Sequence, residues 1–248
     1  MSKIVDSLKS QWEPGSVSST GHFMVGADLI EAGKSAAVIA VELKKSSSRS
    51  TANIRTIRRK HSRRLRSESA DLVLALAREL CKADTYRWFG YELIQNHPGA
   101  FDRLGEKELE RFGQGLNSWW TVDAFARILS GPAWLKRQIH DNLIVKWARS
   151  KDRWWRRAAL VSTVALNVRS QGGEGDVPRT LRVCRLLAGD RDEMVAKALS
   201  WALRALVVHD PKAVQRFLDE HASVLPSLVK REVKHKLKTG LKNPRRQR

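Results

Sequence analysis

Apolar residues recur at spacings of three and four through most of this chain, and Pro or Gly cuts the runs every two to five helical turns or so. In "DEMVAKALSWALRALVVH", Val195, Ala198, Leu199, Ala202, Leu203 and Leu206 fall on one helical face. "SADLVLALARELCKA" sets Leu72, Leu74, Leu76 and Leu80 among alanine and charge, a helix-like mixture. β-Branched residues are scattered, and no Asn-Gly or Asp-Gly turn stands between alternating runs, so strand signals are nearly absent. Breakers stand at Pro98-Gly99, Gly131-Pro132, Gly172-Gly173, Pro178, Asp210-Pro211 and Pro226. The chain therefore reads as all-α, about a dozen helices joined by short polar links.

"KDRWWRRAALVSTVAL" and "DEMVAKALSWALRALV" echo one another about 40 residues apart, the period of HEAT and armadillo helix pairs. Units of that kind bury their apolar faces only against neighbours, which gives a curved α-solenoid. An irregular helical domain is the alternative. The expected organisation is a peripheral helical segment over 1–50, where "AVIAVELKKSSSRSTAN" ends in a serine-rich link, then a repeat domain over 51–240, and a basic disordered tail over 241–248.

Charge narrows the function. Forty-six Lys and Arg stand against 26 Asp and Glu, a formal net charge of +20, which points to a polyanionic partner, nucleic acid before an anionic membrane surface. Two clusters carry much of it: "NIRTIRRKHSRRLRS", with Arg55, Arg58, Arg59, Lys60 and Arg63, and "LVKREVKHKLKTGLKNPRRQR", with Lys230, Arg231 and Lys234. At helical spacing Ile54, Ile57 and Leu65 can turn inward while the arginines cover the rest. A merely solvated face mixes signs for i,i+4 pairing, and these two contain almost no acids. Phosphate contacts that release counterions explain them better. No run of about 18 apolar residues suggests a membrane span. "MSKIVDSLKSQWEPG" lacks the apolar stretch of a secretory signal, so a cytoplasmic, nucleoid-associated protein is expected. Cys81 and Cys184, without CxxC spacing, read as buried thiols rather than metal ligands or a disulfide.

The familiar catalytic signatures are missing: no Walker loop, no GxSxG, no HExxH and no deaminase pattern. The seven histidines are too dispersed for a metal site, with His97 read as a loop residue and His140 and His209 as helix-end ones. Nine tryptophans remain as the unusual feature, several beside arginine, as in "RWWRR". Indole faces attract bases and cations. In "LNSWWTVDAF", Asp123 stands i,i+4 from Trp119 and i,i+3 from Trp120, so either pair can share a helical face. A carboxylate beside an indole can hold a cationic base or stabilise a sugar cation. Equally, both tryptophans can be core, with Ser118 capping the helix and Asp123 meeting an arginine of the next repeat.

Taken in order, "TANIRTIRRKHSRRL", "NSWWTVDAF", "RWWRRAALV", "KALSWALRAL…DP" and "LVKREVKHKLKTGL" resemble the bacterial alkylpurine DNA glycosylases of the HEAT-like repeat class, the AlkD family, over roughly residues 50 to 240. The resemblance implies a solenoid whose basic concave face holds duplex DNA, acting as a monomer without metal or other cofactor. It implies excision of positively charged N3- and N7-alkylated purines, whose charge already weakens the glycosidic bond. It places the catalytic carboxylate at Asp123, the lesion-contacting indoles at Trp119 or Trp120 and at Trp201, and a phosphate-gripping arginine at Arg157, with Arg156 beside it. Asp123 would stabilise the oxocarbenium-like sugar and orient water. The family pattern reads Ser-Trp-Trp-Asp-Thr-Val-Asp, whereas this chain has "SWWTVD", one residue shorter. The alternative is a non-catalytic HEAT-like repeat protein that binds branched, bent or damaged DNA.

Overall fold

The structure, a computed structural model, describes residues 26–46 and 51–241, and all regular secondary structure among them is helical. The rest of the segment expected over 1–50, residues 1–25 and 47–50, and the tail beyond Leu241 lie outside the described residues. In chain order the helices are α1 (Gly26–Lys45), α2 (Thr51–Arg64), α3 (Ala70–Cys81), α4 (Asp84–Gln95), α5 (Pro98–Asp102), α6 (Glu106–Phe112), α7 (Trp119–Phe125), α8 (Gly131–Leu135), α9 (Asp141–Ala148), α10 (Arg153–Asn167), α11 (Val177–Leu186), α12 (Glu193–Leu206), α13 (Pro211–Glu220) and α14 (Ser227–Thr239). A π segment, Ala126–Ser130, joins α7 to α8, and a 3-10 turn, Arg169–Gln171, follows α10.

Helices α4, α7, α10, α12 and α14 form a row, each packed on the next, while α5, α9, α11 and α13 pack against members of that row. The two echoing segments are α10 and α12, lying side by side. At the N-terminal end α2 packs on α4, and α1 runs along α3 with Ala32 and Ile39 fully buried. Leu74, Leu76 and Leu80, and all six apolar residues singled out on α12, are buried. On α12 one face turns to the core as the spacing requires, whereas α3 is buried on two sides, with Leu74 in one apolar cluster and Leu76 and Leu80 in another. Each such burial contributes about 1.5–3 kcal/mol for a large aliphatic side chain.

Carboxylate caps define the starts of several helices. Asp152 accepts from Trp154 N at 2.8 Å, Asp192 from Met194 N at 2.8 Å, and Asp210 from Ala213 N at 2.8 Å. Each satisfies a free amide and complements the positive end of the helix, stabilising it by roughly 1 kcal/mol. Pro98, Pro178 and Pro211 open helices in the first turn, where no N–H is needed, and Pro226 precedes α14.

Gly131-Pro132 departs from its expected role as a breaker, because the chain stays helical from Trp119 to Leu135. The amide of Gly131 reaches back five residues to Ala126 O, which makes the turn π-helical. Pro132 has no N–H, so the carbonyls behind it need other donors. Gln171 Nε2 donates to Arg127 O at 3.0 Å and Gln95 Nε2 to Ile128 O at 3.2 Å. A Cβ on Gly131 would stand 2.7 Å from Ala126 O and 2.8 Å from Ala165 Cβ, so only glycine lets this turn lie against α10. Beside it the Ser130 and Ser162 hydroxyls meet at 2.8 Å, both fully buried.

Several of the described tryptophans are packing elements. Trp134 and Trp147 are buried, and Trp147 stacks at a tilt on Trp155 with centroids 4.8 Å apart. The Trp155 ring occupies the space where a side chain on Gly113 would stand. The indoles of "RWWRR" are half-buried and pack against the core, and the Arg153 guanidinium lies over the Trp154 ring, 4.7 Å from its centroid. Cys81 and Cys184 are both buried, and burial pushes the Cys81 thiol up to about 12.

Candidate active site

Helix α7 is anchored by Val122 and Phe125, both fully buried, which fixes the phase of everything else on it. Ser118 occupies the cap position, but its hydroxyl meets Thr121 Oγ1 at 2.8 Å and no backbone amide. Thr121 in turn donates to Ser118 O at 2.9 Å. With Thr121, Val122 and Phe125 inward, the two indoles turn out: Trp119 is 56 % exposed and Trp120 37 %. Neither is core. Trp120 leans toward the N-terminal helices, beside Trp88 and Ile54. Trp119, one helical turn before Asp123, is the more open indole.

Asp123 points at α10. Arg157 donates from Nε to Asp123 Oδ1 at 2.9 Å and from Nη2 to Oδ2 at 2.8 Å, a fork-to-fork pair. Its Nη1 donates to the carbonyl of Met194 in the first turn of α12 at 2.5 Å. The Arg157 side chain is 6 % exposed and that of Asp123 16 %. A guanidinium this deep needs acceptors, and all three of its nitrogens have one within the protein. The structure thus presents Arg157 first as the holder of Asp123. Burial raises the Asp123 carboxyl above the ordinary aspartate value, while the Arg157 hydrogen bonds and charge, and the charge of Arg127, act against that rise.

Trp201 stands on α12, two turns beyond Met194 and so on the same helical face. The guanidinium of Arg127 lies over its ring, 5.7 Å from the centroid. Arg127 is exposed and belongs to the π segment, four residues after Asp123. Its charge therefore acts both on the indole of α12 and on the carboxylate of α7. The sequence reading missed Arg127; its i,i+4 spacing from Asp123 was a usable signal. No pattern marked the Met194 carbonyl.

The basic residues occupy other places. Arg156 is held by Asp190 Oδ2 at 2.7 Å and by the carbonyls of Ser150 and Lys151. On α2, Arg55, Arg59 and Arg63 are exposed, Arg58 approaches Glu92 at 3.4 Å, and Lys60 pairs with Glu42 at 2.8 Å. On α14, Arg231 and Lys234 are exposed, and Lys230 donates to Ala222 O at 3.1 Å. Because α2 packs on α4, the first helix of the row, and α14 is its last, the two basic helices stand at the two ends of the row that holds Asp123 and Arg157 near its middle. His97 caps α5 by accepting from Ala100 N at 3.0 Å, and His140 and His209 stand next to helix ends. No group of three His, Cys, Asp or Glu among the described residues is arranged to hold a metal ion, and no helix among them is long and apolar enough to cross a membrane.

Comparison with known proteins adds one finding. The family model described as DNA alkylation repair enzyme matches residues 47–237, a span that contains α2 through most of α14. No individual curated protein matches the chain.

Proposed function

Since this chain belongs to the DNA alkylation repair enzyme family, its partner is DNA, and we propose that it removes alkylated purines by hydrolysing their N-glycosidic bond. The observation that carries the reading is the Asp123 carboxylate, with both oxygens held by Arg157 and 16 % of the side chain still exposed to solvent.

An N3- or N7-alkylated purine is cationic, so the glycosidic electron pair leaves with the base and neutralises it. The sugar left behind takes oxocarbenium character at C1′. A carboxylate already desolvated and oriented stabilises that charge without reorganising, which is where preorganised groups lower a barrier most. Water then adds to C1′ and gives up a proton, completing hydrolysis. Arg157 keeps the carboxylate charged and aimed; Trp119 and Trp201 offer flat faces to the sugar and backbone of the lesion nucleotide. We read the helix row as a curved solenoid over residues 51–240 whose basic inner side, from α2 to α14, tracks the phosphates of a duplex. The protein would act as a monomer in the cytoplasm, bound to the nucleoid.

The test is release of 7-methylguanine or 3-methyladenine from alkylated duplex DNA. Wild type should release it and Asp123→Asn should not. Salt-sensitive DNA binding by a wild type that releases no base would leave a non-catalytic binder of damaged or bent duplexes instead.

A further inference from the structure

An open cavity of about 250 Å³ lies on the N-terminal side of the candidate site, lined chiefly by Trp120, Trp88, Tyr86, Ile54, Leu43 and Lys44. Three aromatic rings from two helices thus face one space, and none of the lining side chains is acidic. Trp120 is more than a third exposed there, which is unusual for an indole with so much apolar surface beside it. The wall opposite is rigid. Trp88 Nε1 donates to Thr85 O at 3.1 Å, and its ring meets Phe89 edge-on at 5.5 Å. Exposed Lys44 lies on the rim, and Arg55 follows on the same basic helix as Ile54.

Aromatic faces at the foot of a basic helix, with no carboxylate between, suit a flat ring attached to a phosphate chain. A lipid chain needs a deeper apolar trough, and an acidic peptide would not use three rings. Trp120 is also three residues from Asp123 on the same short helix, so a strand passing the carboxylate passes this cavity within about a nucleotide or two. We infer that the cavity is a second subsite, which takes an unpaired nucleobase turned out of the DNA and stacks it on Trp120. The inference rests on DNA being the partner and not on excision.

The test compares two duplexes that differ in a single bulged position. One carries an unpaired nucleoside, and the other a three-carbon spacer in its place, so that backbone flexibility is matched and only the base is missing. The full-length wild type should bind the base-bearing bulge roughly tenfold more tightly, the scale of one base–indole stack. Trp120→Ala should bind the two bulges equally, and Trp120→Phe should keep part of the preference. Circular dichroism of both variants checks that the helices persist. Equal binding of the two bulges by wild type, or a preference untouched in Trp120→Ala, overturns the subsite. Failure to bind any duplex overturns it together with the proposed function. A preference that persists in a protein releasing no methylated base supports the subsite and sinks only the glycosylase reading.

Discussion

Two parallel hydrogen bonds, 2.9 and 2.8 Å long, join the Arg157 guanidinium to the Asp123 carboxylate across α10 and α7. Pairs of this kind respond unequally to losing different atoms. Asp123→Ala leaves a buried guanidinium without its counter-charge, which costs about 3 kcal/mol of stability in chemical denaturation. Asp123→Asn keeps shape and one acceptor, so it should unfold closer to wild type. Its base release should nonetheless fall about a hundredfold or more, with binding to undamaged duplex retained.

The pH dependence follows from the direction in which Asp123 is moved. Its folded carboxyl sits above the ordinary value because burial outweighs its partners. The chemistry needs the ionised form, so base release should fall as pH drops through that raised value, with an acid limb above the ordinary aspartate range. In Arg157→Gln the opposing hydrogen bonds and charge are gone, and the limb should move further up. For stability the sign is reversed from that of a typical ion-paired aspartate. A raised folded value means that the native state holds this proton more tightly than the unfolded chain. Ionised Asp123 therefore costs stability above that value, and the cost is relieved on acidification.

Gly131→Ala tests whether the π segment positions the site. The new methyl group meets Ala126 O and Ala165 Cβ at under 3 Å, and neither backbone can yield without shifting α8 against α10. A loss of about 1–3 kcal/mol is expected in thermal or chemical unfolding. Single-turnover base release should slow as well, because Arg127 and Asp123 sit on the helical stretch that moves.

Salt separates the cations that meet phosphate from those already engaged. Arg59, Arg63 and Lys234 are exposed, whereas Arg58 is half-buried beside Glu92. Each exposed residue replaced by Gln should reduce the slope of log K against log salt by about 0.9 if it contacts one phosphate. Arg58→Gln should change the slope less. Titrating undamaged duplex at several salt concentrations measures both.

The helical character and the inward face of α12 were legible in the sequence, because periodicity carries them. Three features were not. The helix through Gly131-Pro132 depends on Gln95 and Gln171, side chains distant in sequence that supply donors the proline lacks. The packing of Trp155 depends on a missing side chain at Gly113, more than 40 residues away. That Asp123 meets an arginine of the next repeat was one of the two readings its motif allowed, and the structure bears the ion pair out; that the arginine is Arg157, 34 positions away, is what spacing on one helix does not say. The family resemblance picked out both residues, but only the structure shows them gripping each other.

Arg157 touches α7 through Asp123 and α12 through Met194 while standing on α10. It is therefore a tie rod across three consecutive members of the row. Any duplex whose fit splays α10 from α12 pulls on the same guanidinium that aims the carboxylate. On the proposed function, the stiffness of the DNA and the alignment of Asp123 would become one mechanical variable, since both would act through that tie.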